Sequence, residues 1–578
     1  MTNCKNTNKI FFNMRERIII LGAGVMQGPA IRIARELGLC AVVADGNADA
    51  PCASMADQFA HIDLKDKEGI EAFARSLQND GGLAGIMTAG TDFSATVAWV
   101  AEKLGLPGLP YEAALNASDK ARMRACFDKA GLPSPPFTAI TRDAALDDIA
   151  LSFPLVVKPV DNMGGRGCRR VGTIEELREA ATDALRFSRS GRAIVEAFMD
   201  GPEFSVDAIV YHGEITICGL ADRHIFFPPY FIEMGHTMPT GFPPEQQAAL
   251  LETFCAGVRA LGLAGPESIG AAKGDIKLTP HGPMIGEIAA RLSGGYMSGW
   301  TYPYASGVEP IRAALLAAVG RKPDSLAPLQ NWTCAERAFI SIPGTVKAIT
   351  GVEAARSLPH VRDLFLRAAE GGKVSFPQNN VSKCGNIIAA APDRAAAIAA
   401  AETAARSILI RLDPADPETA VFLSASDTAF PPDAFPLPPA LRDALAQLPE
   451  TTLFSPESLT RRHGEHGEHG KEKAQICNSP PPPPLSVSSV PPVPPCEALL
   501  LTPFPAFTGS NLTDYMGRTV ADSLRAVRGL TGLLLPEIGE STYNTTDNKG
   551  SFLGRSFWAA LARGGYQGAV YYINNLRV

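Results

Sequence analysis

The run RIIILGAG, Arg17 to Gly24, most constrains the fold. It is continuously apolar, as a strand buried on both faces must be, and it ends in glycines that turn the chain tightly. PAIRIARELG follows as an amphipathic helix stopped by Gly38, and LCAVVADGN reads as a second strand. Strand, helix, strand implies a parallel sheet. A further apolar strand at Leu83 to Asp92 and the helix ATVAWVAEKLG complete a small doubly wound domain over residues 15–112. Gly22, Gly24 and Gly28 resemble a dinucleotide fingerprint with Asp45 as the ribose acid, yet the spacing is G-x-G-x-x-x-G. Tight turning alone explains the same glycines.

A chain of 578 residues exceeds one hydrophobic core. Its 46% hydrophobic and 20% charged residues describe a globular enzyme, and a formal net charge of -7 offers no basic excess for nucleic acid. No apolar run reaches the roughly 18 to 20 residues of a membrane helix, and the first residues lack a signal-peptide core, so a cytoplasmic location without a membrane partner is expected. The eleven cysteines contain no C-x-x-C and fall in apolar stretches, as reduced core thiols do.

The candidate chemistry lies further on. Ser118 and Asp119 start a helix, which puts Lys120 in its first turn. FPLVVKPVDNMGGRGC sets Lys158 at the end of an apolar strand, before a loop carrying Gly164, Gly165 and Gly167. Such a loop lets backbone N–H groups approach phosphate oxygens, and the lysine supplies a compact charge. Downstream lie a strand ending near Glu196 and an alternating strand that carries Glu203. GDIKLTPHGPMIGEIAARLSGG then reads as a hairpin turning at Pro280 to Pro283, with Asp275 and Glu287 on paired arms. Two converging carboxylates suit Mg²⁺ (or Mn²⁺), and Arg291 offers a fork of donors to a phosphate oxygen.

The order lysine, lysine with glycine loop, glutamates, Asp275, Glu287, Arg291 resembles the ATP-grasp superfamily over about residues 17–415. The resemblance implies a doubly wound domain preceding the ATP-grasp fold, then an ATP-grasp domain at 113–319 whose two α+β subdomains close on ATP. It implies phosphate contacts from Lys120 and Lys158 under a cover formed by Gly164, Gly165 and Gly167. Adenine would be read by backbone at Glu196, Ala197 and Phe198, with Glu203 on the ribose. Asp275 and Glu287 would ligate the metal, and Arg291 would stabilise the transferred phosphate. Many members carry asparagine where Ala289 stands, so water or a neighbouring group would have to fill that position.

DRHIFFPPYFIEMGHTMPTGFP, together with SGGYMSGW, is similar to amino-acid ligases and other carboxylate-amine ligases of the superfamily. That likeness implies an acceptor pocket with Glu233 on a substrate ammonium and with His236 and Tyr296 nearby; a core or turn role for His236 is the alternative. The expected activity is ATP- and Mg-dependent joining of a small carboxylate, activated as an acyl phosphate, to an amine. The other readings are a biotin-carboxylase-like or purine-pathway carboxylating enzyme and a nucleotide-binding module without turnover. Residues 320–412 read as an accessory α+β lobe that walls the site and supports a homodimer. Residues 413–495, rich in proline, read as a linker, with His463, His466 and His469 in a solvated tract, and 496–578 as a small domain of no recognised family.

Overall fold

A computed structural model describes residues 15–425, 430–450, 452–453, 498–532 and 550–576. The histidine tract and the densest proline run lie outside these residues. The described chain forms two compact units: one comprises residues up to 341 with 351–368 and 375–408, the other 342–350, 369–374 and the residues from 409 onward.

The first unit opens with a parallel sheet in the order Gln58–His61, Cys40–Asp45, Arg17–Leu21, Leu83–Thr88. Ile18 to Leu21 and Ala41 to Ala44 are fully buried, because the helices Gly28–Glu36 and Lys67–Asn79 belong to opposite faces of this doubly wound layer. Gly22 takes φ +99°, and the Ala23 N–H donates to Asp45 at 2.7 Å. The aspartate thus fills the donor that a cofactor phosphate or ribose would need, which favours the tight-turn reading of the glycines.

A four-stranded antiparallel sheet follows, ordered Phe137–Ile140, Ala193–Ala197, Leu155–Pro159, Arg169–Val171, and the helix Ile174–Phe187 buries Leu177, Ala180 and Ala184 in its core. The main sheet has eight antiparallel strands: Gly282–Ala289, Ile269–Thr279, Glu203–Tyr211, Glu214–Phe226, Ile232–Met238, Thr333–Phe339, Gly385–Ala391 and Val361–Leu366. Its last three strands come from the region read as an accessory lobe. They extend the main sheet rather than stand beside it, because Gly385–Ala391 is buried along its whole length and Arg394–Ser407 packs its alanines on that strand and on Thr333–Phe339.

The other three strands of that region, Gly344–Thr350, Lys373–Val374 and Leu409–Leu412, form a separate sheet in the second unit. There, Phe435, Phe504, Phe507 and Trp558 centre an aromatic core with the helices Val520–Thr531 and Arg555–Leu576. The expected linker therefore begins later than residue 413. Pro417–Ser424 and Pro439–Ala446 are helices that use proline in the first turn, where its missing N–H costs nothing, and Phe435 between them is fully buried.

Candidate active site

A cavity of about 430 Å³ lies in the first unit between the four-stranded sheet, the main sheet and the loop tips of the parallel domain. Nine lysine and arginine side chains line it against five carboxylates. That excess suits a polyanionic ligand.

At one end, Lys158 projects from Leu155–Pro159 and its ammonium lies 2.6 Å from Glu196 on the neighbouring strand. The other oxygen of Glu196 accepts from Arg124 Nε at 2.7 Å, and Arg124 and Glu196 are 1% and 2% exposed. Burial works against ionisation of Glu196, but the two cations outweigh it and hold the carboxyl below its usual range. Lys120 begins a helix whose Asp119 cap accepts from the N–H groups of Ala121 and Arg122. Its ammonium donates to the Asn162 carbonyl at 2.9 Å and stands 3.3 Å from Glu287. Gly164, Gly165 and Gly167 take φ of +71°, +75° and +67°, a conformation few other residues adopt. Cys168 also lines the cavity, and burial pushes its thiol up to about 11.

Across the floor, Asp275 pairs in register with Glu287 on one side and with Ser205 on the other. Both carboxylates reach the cavity. Burial again opposes charge on Glu287, and Lys120, Lys273 and Lys158 overcome it and keep the group ionised. Lys273 is bonded to Asp275, and Arg223 is 2.9 Å from the same carboxylate, 2.7 Å from Glu233 and bonded to Glu203. Arg291 makes no direct ion pair with a carboxylate among the described residues, although its charge acts on Glu287 and Asp207 from a distance. Its guanidinium donates to the Leu292 carbonyl at 3.1 Å, while its buried Nε has no protein acceptor.

The far end is built by Glu233, Tyr296, Arg367 and Lys383, with Met26 and Gly90 contributed by the parallel domain. Glu233 is held well below the carboxylate range: burial opposes this, and Arg223 and His236 prevail. His236 itself is fully buried behind the wall, with Nδ1 3.2 Å from Glu336 and 3.6 Å from Glu233, and Nε2 3.1 Å from the Thr301 hydroxyl. Burial would lower its pKa, but the two carboxylates raise it above the ordinary histidine value. Tyr296 adopts φ +67°, stacks on Phe365 at 4.3 Å, and its hydroxyl accepts from the Arg367 guanidinium at 3.3 Å.

Residues 151–296 match the profile of the ATP-grasp domain, residues 31–108 that of the ATP-grasp N-terminal domain, and residues 338–413 that of L-amino acid ligase C-terminal domain 2. The chain thus matches two ATP-grasp domain models followed by an L-amino acid ligase C-terminal domain model. It is similar to carnosine synthase 1 of Gallus gallus, 26% identical over 408 residues that cover 64% of this chain and 43% of that protein. A D-alanine–D-alanine ligase of Marinobacter nauticus is 32% identical over 170 residues, covering 28% of this chain and 51% of the relative. The chain thus spans about half the length of these two relatives. In fold it resembles the L-amino acid ligase of Bacillus licheniformis, at a TM-score of 0.62 and 22% identity over 69% of this chain and 99% of that one.

Within this ATP-grasp fold the structure brings together Lys120, Lys158, Gly164, Gly165, Glu196, Ala197, Phe198, Glu203, Glu233, Asp275, Glu287, Arg291 and Tyr296 around one cavity. Two expected residues stand elsewhere. Gly167 faces away, where a Cβ would lie 3.0 Å from the Phe187 ring and 3.2 Å from Pro159, so packing explains it. His236 is behind Glu233 and reaches no open space. Ala289 is buried opposite Lys273, whose side chain turns to Asp275, so a cation occupies the flank where other members place asparagine. Sequence reading missed Arg124, Arg223 and Lys273. The last was signalled by Lys273, Asp275 and Lys277 alternating along one strand face, and Arg223 by standing opposite Glu203 in the ladder.

Proposed function

We propose that this chain is an ADP-forming carboxylate–amine ligase of the amino-acid or peptide type. A small carboxylate takes the terminal phosphoryl group of ATP to give an acyl phosphate, and an amine displaces the phosphate to leave an amide, ADP and inorganic phosphate. The observation that carries this reading is one cavity with a cationic nucleotide end and, past Arg291, an ionised Glu233 at the other. Lys120 and Lys158 bind phosphate oxygens from fixed strand and helix ends, and the Gly164–Gly165 backbone covers them. Arg291, in no direct ion pair among the described residues, offers its donors to charge developing on the transferred group.

Asp275 and Glu287 form an all-oxygen donor pair, with Glu287 held ionised, which fits a hard divalent cation that leaves room for phosphate oxygens and water. Mg²⁺ held there would neutralise phosphate charge; Lys273 and Arg223 then balance what remains on Asp275. Glu233 supports an amine rather than bicarbonate as acceptor, since a fixed carboxylate attracts an ammonium and repels an anion. A homodimer remains part of the proposal. The decisive experiment supplies MgATP with individual amino acids and measures ADP and amide together. ADP release that needs bicarbonate and no amino acid would sink the ligase reading, and no release under any condition would leave a nucleotide-binding module.

A further inference from the structure

The segment Asn379 to Lys383, just before the main-sheet strand Gly385–Ala391, grips two parts of the cavity at once. The Asn380 N–H donates to the Gly164 carbonyl at 2.9 Å, on the loop that covers phosphate. Its side-chain oxygen accepts from the Glu233 N–H at 2.8 Å, and its carbonyl receives Arg367 at 3.4 Å. Three residues on, Lys383 donates to the Glu233 carbonyl at 2.7 Å. The peptide groups on both sides of Glu233 are thus fixed from one short loop. That loop is itself set by Asn379, whose side chain accepts from the Val381 N–H at 2.9 Å.

We propose that Asn380 is a positioning residue that ties closure of the glycine loop to the placement of Glu233. The inference rests on the ligase reading of this site. An acyl phosphate exposed to water is hydrolysed: water attacks the acyl carbon, the carbon–oxygen bond to phosphate breaks, and carboxylate and phosphate leave, so that ATP is spent with no amide made. With Asn380 in place, the loop that shuts over phosphate and the carboxylate that orients the amine move into register together. The amine then meets the intermediate in a site closed to solvent. Without the side-chain oxygen, the Glu233 N–H loses its acceptor, and Glu233 and the loop close independently.

The test uses the full chain with MgATP and a mixture of the standard L-amino acids, with ADP and total amide measured in parallel. Asn380→Ala should lower amide formed per ADP by roughly two- to tenfold, the worth of one hydrogen bond to a buried N–H. Asn380→Asp, which keeps the accepting oxygen, should keep the ratio near that of the wild type. Equal losses of amide and ADP, with the ratio unchanged, would overturn the inference. If Asn380→Ala does not fold, Asn380→Ser, too short to reach the Glu233 N–H, is read in the same way. Wild-type ADP release with no amide would instead defeat the ligase reading; trypsin cleavage after Arg166 in the glycine loop then decides the inference. MgATP should slow that cleavage less in Asn380→Ala than in wild type, and equal protection would overturn it.

Discussion

Lys273 stands directly across the ladder from Ala289, and its ammonium is bonded to Asp275. A cation held in that place reduces the negative charge that two adjacent carboxylates would otherwise accumulate. Ala289→Asn should therefore not improve the site: an amide inserted at a buried position would push Lys273 from Asp275 and lower kcat. A variant faster than wild type would show that the alanine is a defect rather than half of a fitted pair.

Glu287→Gln should abolish ADP formation, with a loss on the order of 10²-fold or more in kcat, the scale of removing one preorganised charge from a phosphoryl-transfer site. Lys120 loses its carboxylate partner at 3.3 Å in that variant, but the core packing does not depend on the pair. Steady-state ADP release and a thermal melt read the two effects separately; wild-type turnover would remove Glu287 from the metal set.

Lys158→Ala should weaken ATP far more than adenosine, because the ammonium meets phosphate. Isothermal titration with both ligands checks this. Glu196 keeps Arg124 at 2.7 Å, so the carboxylate is not left unpaired and the fold should survive. Equal loss for both ligands would make Lys158 a structural lysine.

How much of this could be read from the chain depended on distance along it. Asp275 and Glu287 are joined by a short turn, and the period of two along a strand is enough to place them face to face. Gly164 and Gly165 announce their loop because little else tolerates positive φ. Glu336 and Asn380 carried no such local mark. Each acquires its partner from a strand or loop far away in sequence, and only the order of strands in the eight-stranded sheet brings Glu336 to His236 or Asn380 to Glu233. At Gly167 packing against Phe187 and Pro159 accounts for the glycine, and at His236 a buried ion network holds the imidazole, as the core alternative for that residue allowed.

Glu233→Gln should raise the KM of the amino substrate with little change in the KM of ATP, whereas Arg291→Ala should depress kcat. Glutamine retains the shape that keeps Arg223 in place beside Glu203 and Asp275. Phosphate release with each substrate varied in turn distinguishes them, and an ATP-selective defect in Glu233→Gln would take that residue out of the acceptor end.

His236 gives a pH signature. Its folded pKa is raised, so the stability it contributes is complete below the unfolded value of about 6.5 and is lost as pH rises through the folded pKa. The difference in Tm between wild type and His236→Asn should be largest near pH 6 and shrink in alkali. A difference independent of pH would mean that the imidazole is neutral throughout.

The eight-stranded sheet is not assembled in the order in which its strands are made. Ile232–Met238 has one neighbour from its own hairpin, but the other, Thr333–Phe339, emerges from the ribosome roughly a hundred residues later, and the strands bearing the Asn380 and Lys383 end of the site follow after that. A nascent chain therefore carries a complete nucleotide end beside an open, hydrogen-bond-hungry edge. Slow translation or truncation between residues 300 and 330 should favour aggregation, and Arg367, Asn380 and Lys383 are made only after the whole nucleotide end.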